Sequence, residues 1–104
     1  MIENFGYLVR EKDCESLSDE STVVATKPLS KENFISQLKQ IVHRDALISN
    51  TSDNIDWLVD LGDALKTLLA QYGISPQKFG KLMKKWRDEH GEYKAECYVS
   101  HTIN

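Results

Sequence analysis

The sequence predicts an all-α domain of three principal helices, built on a helical-hairpin core with short extended segments at its two ends. Three observations predict it. Apolar residues recur at helical spacing in three successive stretches, cap residues bound each stretch, and the only alternating or β-branched runs are brief and lie outside the helices. With 104 residues, the chain is expected to form a single domain spanning 1–104.

Residues 5–11 form a short apolar segment that ends in charge, and the acidic, serine-rich stretch 13–22 shows no period and is expected to be a loop. Val23–Thr26 is a brief β-like run that Pro28 stops. The first long helix opens at Ser30, an N-cap, and carries Phe34, Leu38, Ile41 and Val42 at i, i+4, i+7 and i+8; Asn50, Thr51 and Ser52 close it.

The second helix is expected to be capped by Asp53, with Asp56 three residues on as in a capping box. Its apolar set is Leu58, Leu61, Leu65, Leu68, Leu69 and Tyr72, and Gly73 ends it. Ser75 and Pro76 announce the third helix, whose stripe Phe79, Leu82, Met83 and Trp86 is expected to be buried, and Gly91 ends it. Beyond it, Tyr93, Ala95, Cys97 and Val99 alternate with charged residues, the pattern of a half-buried extended tail.

The bulk properties narrow the function classes. Hydrophobic residues make up 40% and charged residues 28%, the profile of an ordinary globular domain, and the net charge of −3 argues against nucleic acid as the main partner. No apolar run approaches the length of about 20 residues that spans a bilayer, and no secretory signal pattern opens the chain. Cys14 and Cys97 stand far apart in no metal-type spacing, as expected of reduced thiols. A cytoplasmic protein with no membrane partner is the expectation.

Two constellations bear on chemistry. Asp56, Asp60 and Asp63 fall within roughly 60° of one another on the second helix. Like charges at i and i+4 repel, and a hard cation such as Mg²⁺ relieves that repulsion. The apolar set centres on nearly the opposite side, so from spacing alone the acids read first as the wet face of an amphipathic helix. The third helix carries a basic ridge of Lys78, Lys81, Lys84 and Lys85, with Arg87 turned aside, which suits either phosphate groups or solvent. Three helices and a tail also fit a winged helix-turn-helix. The length of the second helix and the negative net charge oppose that DNA-binding alternative. His43, His90 and His101 form no metal-ligand spacing, and no arrangement of Ser, Cys and His identifies a catalytic nucleophile.

In order along the chain, Tyr7-Leu-Val-Arg-Glu-Lys12, Asp56-Trp-Leu-Val-Asp60-Leu-Gly-Asp63, Gly73-Ile-Ser-Pro76 and His90-Gly-Glu-Tyr93 resemble the succession of motifs in MazG-like and phosphoribosyl-ATP pyrophosphohydrolase-like proteins. The resemblance covers nearly the whole chain. It implies an all-α nucleoside-triphosphate pyrophosphohydrolase, Mg²⁺-dependent, converting a nucleotide to monophosphate and pyrophosphate, and assembled through its helices as a homo-oligomer such as a dimer. It places Asp56, Asp60 and Asp63 where the family's second-helix metal ligands stand. Arg10 and Lys12 match the family's N-terminal basic residues, with Arg44, Lys84 and Arg87 as further candidates for the nucleotide's phosphates. One departure is large. The family's Glu-Glu-x-x-Glu on the first long helix aligns with His43-Arg44-Asp45-Ala46-Leu47, so half of the cation cage is replaced. The expectation is therefore weak or lost hydrolysis, a nucleotide-binding or assembly module as the alternative, and a cation such as Arg44 set close to the three aspartates.

Overall fold

The structure is a computed structural model and describes residues 7–18 and 28–100. Four helices make up the described residues, in which no strand occurs: α1 (Glu11–Ser18), α2 (Lys31–Ser49), α3 (Asp56–Ala70) and α4 (Pro76–His90). The expected all-α class holds, and α2 to α4 are the three principal helices. The chain divides into two compact units, residues 1–73 and 74–104.

In the first unit, α1 replaces part of the expected loop. Glu11 and Asp13 occupy its first turn, where carboxylates meet the positive end of the helix dipole, and the Cys14 amide donates to the Arg10 carbonyl. Propensity at the helix start outweighed the lack of an apolar period. The β-like run Val23–Thr26 lies outside the described residues.

Helix α2 begins as the sequence indicates, with the Ser30 hydroxyl accepting from the Asn33 amide at 3.2 Å. Its end at Ser49 also agrees, and the Asn50 amide is shared between the carbonyls of Leu47 and Ile48. Helix α3 begins differently from expectation. Asp53 is not its cap; the helix starts at Asp56, whose amide donates to Asn54 Oδ1 at 3.0 Å, an Asx-type turn that does the work of a side-chain cap.

A six-residue connection, 50–55, joins α2 and α3, which pack on each other as a helical hairpin. Leu38 of α2 and Ala64 and Leu68 of α3 are the buried apolar residues among those described. Helix α3 is thus rotated from the sequence reading. Small Ala64 sits at the centre of the packed face because two helices approach most closely where the side chain is small, and Leu58 turns outward, 53% exposed. Asp60 consequently turns toward α2 instead of away from it.

In the second unit, the Ser75 hydroxyl accepts from the Lys78 amide at 3.1 Å and Pro76 occupies the first turn of α4. Gly91, at φ 83°, ends the helix in a conformation that favours glycine, and its amide donates to the Arg87 carbonyl. Two expectations fail here. The stripe of α4 is not buried: Leu82 and Met83 are each 42% exposed and Trp86 64%. The tail does not form a half-buried extended face either. Tyr93, Tyr98 and Val99 are exposed and a turn interrupts it at residues 95–96, since alternation produces a buried face only beside a neighbouring strand.

Candidate functional site: an arginine–carboxylate cluster beside an apolar cleft

A cleft of about 760 Å³ opens in the first unit, between the hairpin and the segment that leads into α1. Tyr7, Phe34 and Trp57 supply aromatic surface and Leu38, Ile41 and Ile48 aliphatic surface, while Arg10, Arg44, Asp56, Asp60 and Asp63 bring charge. The Leu8 amide donates to Gln37 Oε1 at 3.2 Å, which ties this N-terminal segment to α2 and sets Arg10 over α3.

Arg10 is the hub of the cluster. Its Nε and Nη2 both donate to Asp60 Oδ1, the first at 2.8 Å, and its Nη1 donates to Asp63 Oδ2 at 3.0 Å. A planar guanidinium fits two carboxylates spaced i and i+3 on one helix in a way that a lysine does not. Hydrogen bonding to Asp60 first, and to Asp63 second, holds the guanidinium still more firmly in its charged form.

Arg44 enters from α2. Its Nη2 lies 3.1 Å from Asp45 Oδ1 and 3.6 Å from Asp60 Oδ2, so one nitrogen faces both carboxylates. A cation does therefore stand beside the second-helix acids, as the departure in the first long helix led us to expect.

Asp45 is the residue that sequence reasoning undervalued. It is 0% exposed, and its Oδ2 has no hydrogen-bond partner. Burial, and after it the adjacent Asp60 carboxylate, raise its carboxyl above the ordinary range; Asp45 is also the main cause that holds Asp60 below that range, with Arg10 and Arg44 adding to it against the opposing effect of burial. The two shifts run in opposite directions, so within the pair Asp45 holds a proton more readily and Asp60 ionises first. The signal was present in the sequence: Asp45 continues the buried stripe at i+7 from Leu38 and i+4 from Ile41.

The pH dependence follows from these two directions. Asp60, lowered by folding, contributes stability above the ordinary carboxylate value that is lost as pH falls through its folded value. Asp45, raised by folding, contributes stability below its unfolded value that is lost as pH rises through its folded value. At neutral pH the buried acid is a liability. Asp45→Asn, which removes the buried charge at nearly constant size, is expected to stabilise the protein at pH 7 by on the order of 1 kcal/mol. The gain should shrink toward pH 4. Urea denaturation across that range checks it, and a loss of stability at pH 7 would contradict the raised Asp45 carboxyl.

The other sequence candidates fall as follows. Asp56 lines the cleft with Asp60 and Asp63, but its recorded contact is with the connection before α3. Lys12 is exposed on α1 and does not line the cleft. Lys84 pairs with Asp88 at 3.1 Å within α4, and it and Arg87 belong to the second unit. The residues present do not fit Mg²⁺. Oxygens of Asp60 and Asp63 that would face a cation are taken by Arg10, Arg44 adds a second positive charge, and among the described residues no group of three His, Cys, Asp or Glu converges as a metal site.

What the arrangement can do chemically is present two guanidinium groups at the mouth of an apolar, aromatic-lined cleft. Comparison with protein-family models, with curated proteins and with solved structures found no match to this chain.

Proposed function

We propose that the cleft of the first unit is a nucleotide-binding site of the MazG-like pyrophosphohydrolase type in which arginines stand where that family holds metal, so that binding persists while hydrolysis is weak or lost. The observation that carries the reading is Arg10 bridging Asp60 and Asp63 beside Arg44 at the edge of the aromatic wall. The ordered motif resemblance supports the nucleotide as ligand, and the site chemistry agrees with it. Tyr7, Phe34 and Trp57 offer stacking surface for a base, and a phosphate makes the same paired hydrogen bonds to Arg10 that the two aspartates now make.

The apolar wall takes the base and excludes water, the multiply charged phosphates draw Arg10 from Asp60 and Asp63, and Arg44 completes the anion's coordination. The reading includes a cytoplasmic protein that self-associates. Self-association is motivated by the small number of buried apolar residues against the exposed Leu47, Ile55, Leu58, Val59 and Tyr72 of the first unit.

Calorimetry with a panel of nucleoside triphosphates and monophosphates, with Mg²⁺ and with chelator, tests the proposal alongside a pyrophosphate-release assay. Binding that is unaffected by chelator, with little or no release, is the expected outcome. Strong Mg²⁺-dependent release that is lost in Asp60→Asn would replace this reading with that of an active metalloenzyme, and the absence of binding would leave only the fold.

A further inference from the structure

One wall of the cleft is not part of the hairpin. Tyr7, Leu8, Val9, Arg10 and Asp13 line it from the segment that runs into α1. None of residues 7–14 is buried: Tyr7 is 75% exposed, and Leu8, Val9 and Cys14 are half-buried. Apolar packing therefore holds this wall only in part.

Among the described residues, its hydrogen bonds to the hairpin come from two points. The Leu8 amide donates to Gln37 Oε1 on α2 at 3.2 Å, and Arg10 makes three bonds to Asp60 and Asp63 of α3. Arg10 is also where α1 starts, since its carbonyl accepts the Cys14 amide at 2.9 Å. Helix α1 has eight residues, fewer than a helix needs to persist alone in water. Its order thus depends on what fastens its N-terminal end, and the guanidinium that does so is 56% exposed.

Charge works against the attachment. Asp13 lines the same cleft as Asp56, Asp60 and Asp63, so a carboxylate of the segment shares it with three of α3. Among the described residues, Arg10 is the one cation that the segment brings to the cleft. While it is bound the repulsion is offset, and once it leaves nothing on the segment offsets it. An exposed ion pair holds weakly enough for a competing anion to displace it.

We propose that residues 7–18 are a strap latched over the cleft by Arg10, which opens and loses its helix as a unit when the guanidinium leaves Asp60 and Asp63, while α2 and α3 keep their packing. An anion that draws Arg10 off the aspartates opens its own way in. The identity of that anion rests on the reading above; the latch stands on the chain's own groups.

Hydrogen exchange on the full chain, followed by mass spectrometry with α2 and α3 as internal references, tests the strap. In the wild type the α1 amides should exchange more slowly than those of unstructured chain. Arg10→Ala should speed them about threefold, the effect of losing an exposed ion pair, and leave α2 and α3 unchanged. Arg10→Lys, which keeps the charge without the fork, should fall between the two. Gln37→Ala, which removes the other tie, should speed the same amides. Wild-type α1 that exchanges like unstructured chain overturns the proposal. So does Arg10→Ala with α1 exchange unchanged, or with a loss of protection that extends equally to α2 and α3. Calorimetry with ATP separates the two claims. A chain that binds no ATP but whose α1 is released by Arg10→Ala loses only the cleft's ligand, and one that binds ATP with α1 indifferent to Arg10 loses only the strap.

Discussion

Leu38→Ala is expected to lower the stability of the chain by about 2–5 kcal/mol, measured by urea denaturation followed at a helical wavelength. Leu38 is 4% exposed, and with Ala64 and Leu68 of α3 it makes up the buried apolar set among the described residues. Removing three carbons there leaves a cavity that Ala64 is too small to fill. A small domain has about 5–15 kcal/mol of stability in total, so the variant should lose much of its cooperative transition at ambient temperature. A cost below about 1 kcal/mol would mean that the centre of stability lies elsewhere.

The helices were legible in the sequence because each begins or ends on local chemistry. Ser30, Ser75, Pro76 and Gly91 act where they stand, through one hydrogen bond or one backbone conformation, and no tertiary contact is needed to place them. Faces were less legible. The leucines of α3 outnumber its alanines, so the apolar count pointed to the Leu58–Leu65–Leu69 side, but close approach of two helices selected Ala64 and brought Asp60 inward. The start of α3 was misread for a related reason. Asp53 and Asn54 are both competent turn residues, and only the geometry of the 50–55 connection chooses between them.

The site was legible in its members and not in its pairings. Asp60 and Asp63 stand out by type and spacing, Arg10 and Arg44 entered through the motif resemblance and its departure, and the expectation of a cation beside the acids named Arg44 or a neighbour. Arg10 makes the closer contacts, across 50 residues of sequence from Asp60 and 53 from Asp63, a distance that no periodicity spans. Asp45 was hidden because an acidic residue on an apolar stripe is ordinarily read as a break in the stripe. Here it is the stripe's continuation, made tolerable by the Arg44 guanidinium beside it.

The second large effect concerns the ligand. Arg10→Ala is expected to weaken nucleotide binding by about tenfold to a hundredfold, since charge-assisted paired hydrogen bonds of this kind contribute on the order of 1.5–3 kcal/mol. The fold should change little, because Arg10 and Asp63 are both more than half exposed and an ion pair in such a position adds little to stability. Arg10→Lys should recover only part of the loss, as a point charge lacks the fork geometry. Arg10→Ala binding as tightly as wild type would place the phosphates elsewhere.

Asp63→Asn separates the arginine account from a metal account most sharply, because the two predict opposite signs. In the arrangement described, Asp63 competes with the ligand for Arg10 and adds negative charge to the cleft. Neutralising it releases one arm of the guanidinium and removes repulsion, so calorimetry should show several-fold tighter nucleotide binding that is the same with Mg²⁺ and with chelator. Were Asp63 a metal ligand, the same substitution would weaken binding and would do so only when Mg²⁺ is present, and that result would contradict the account.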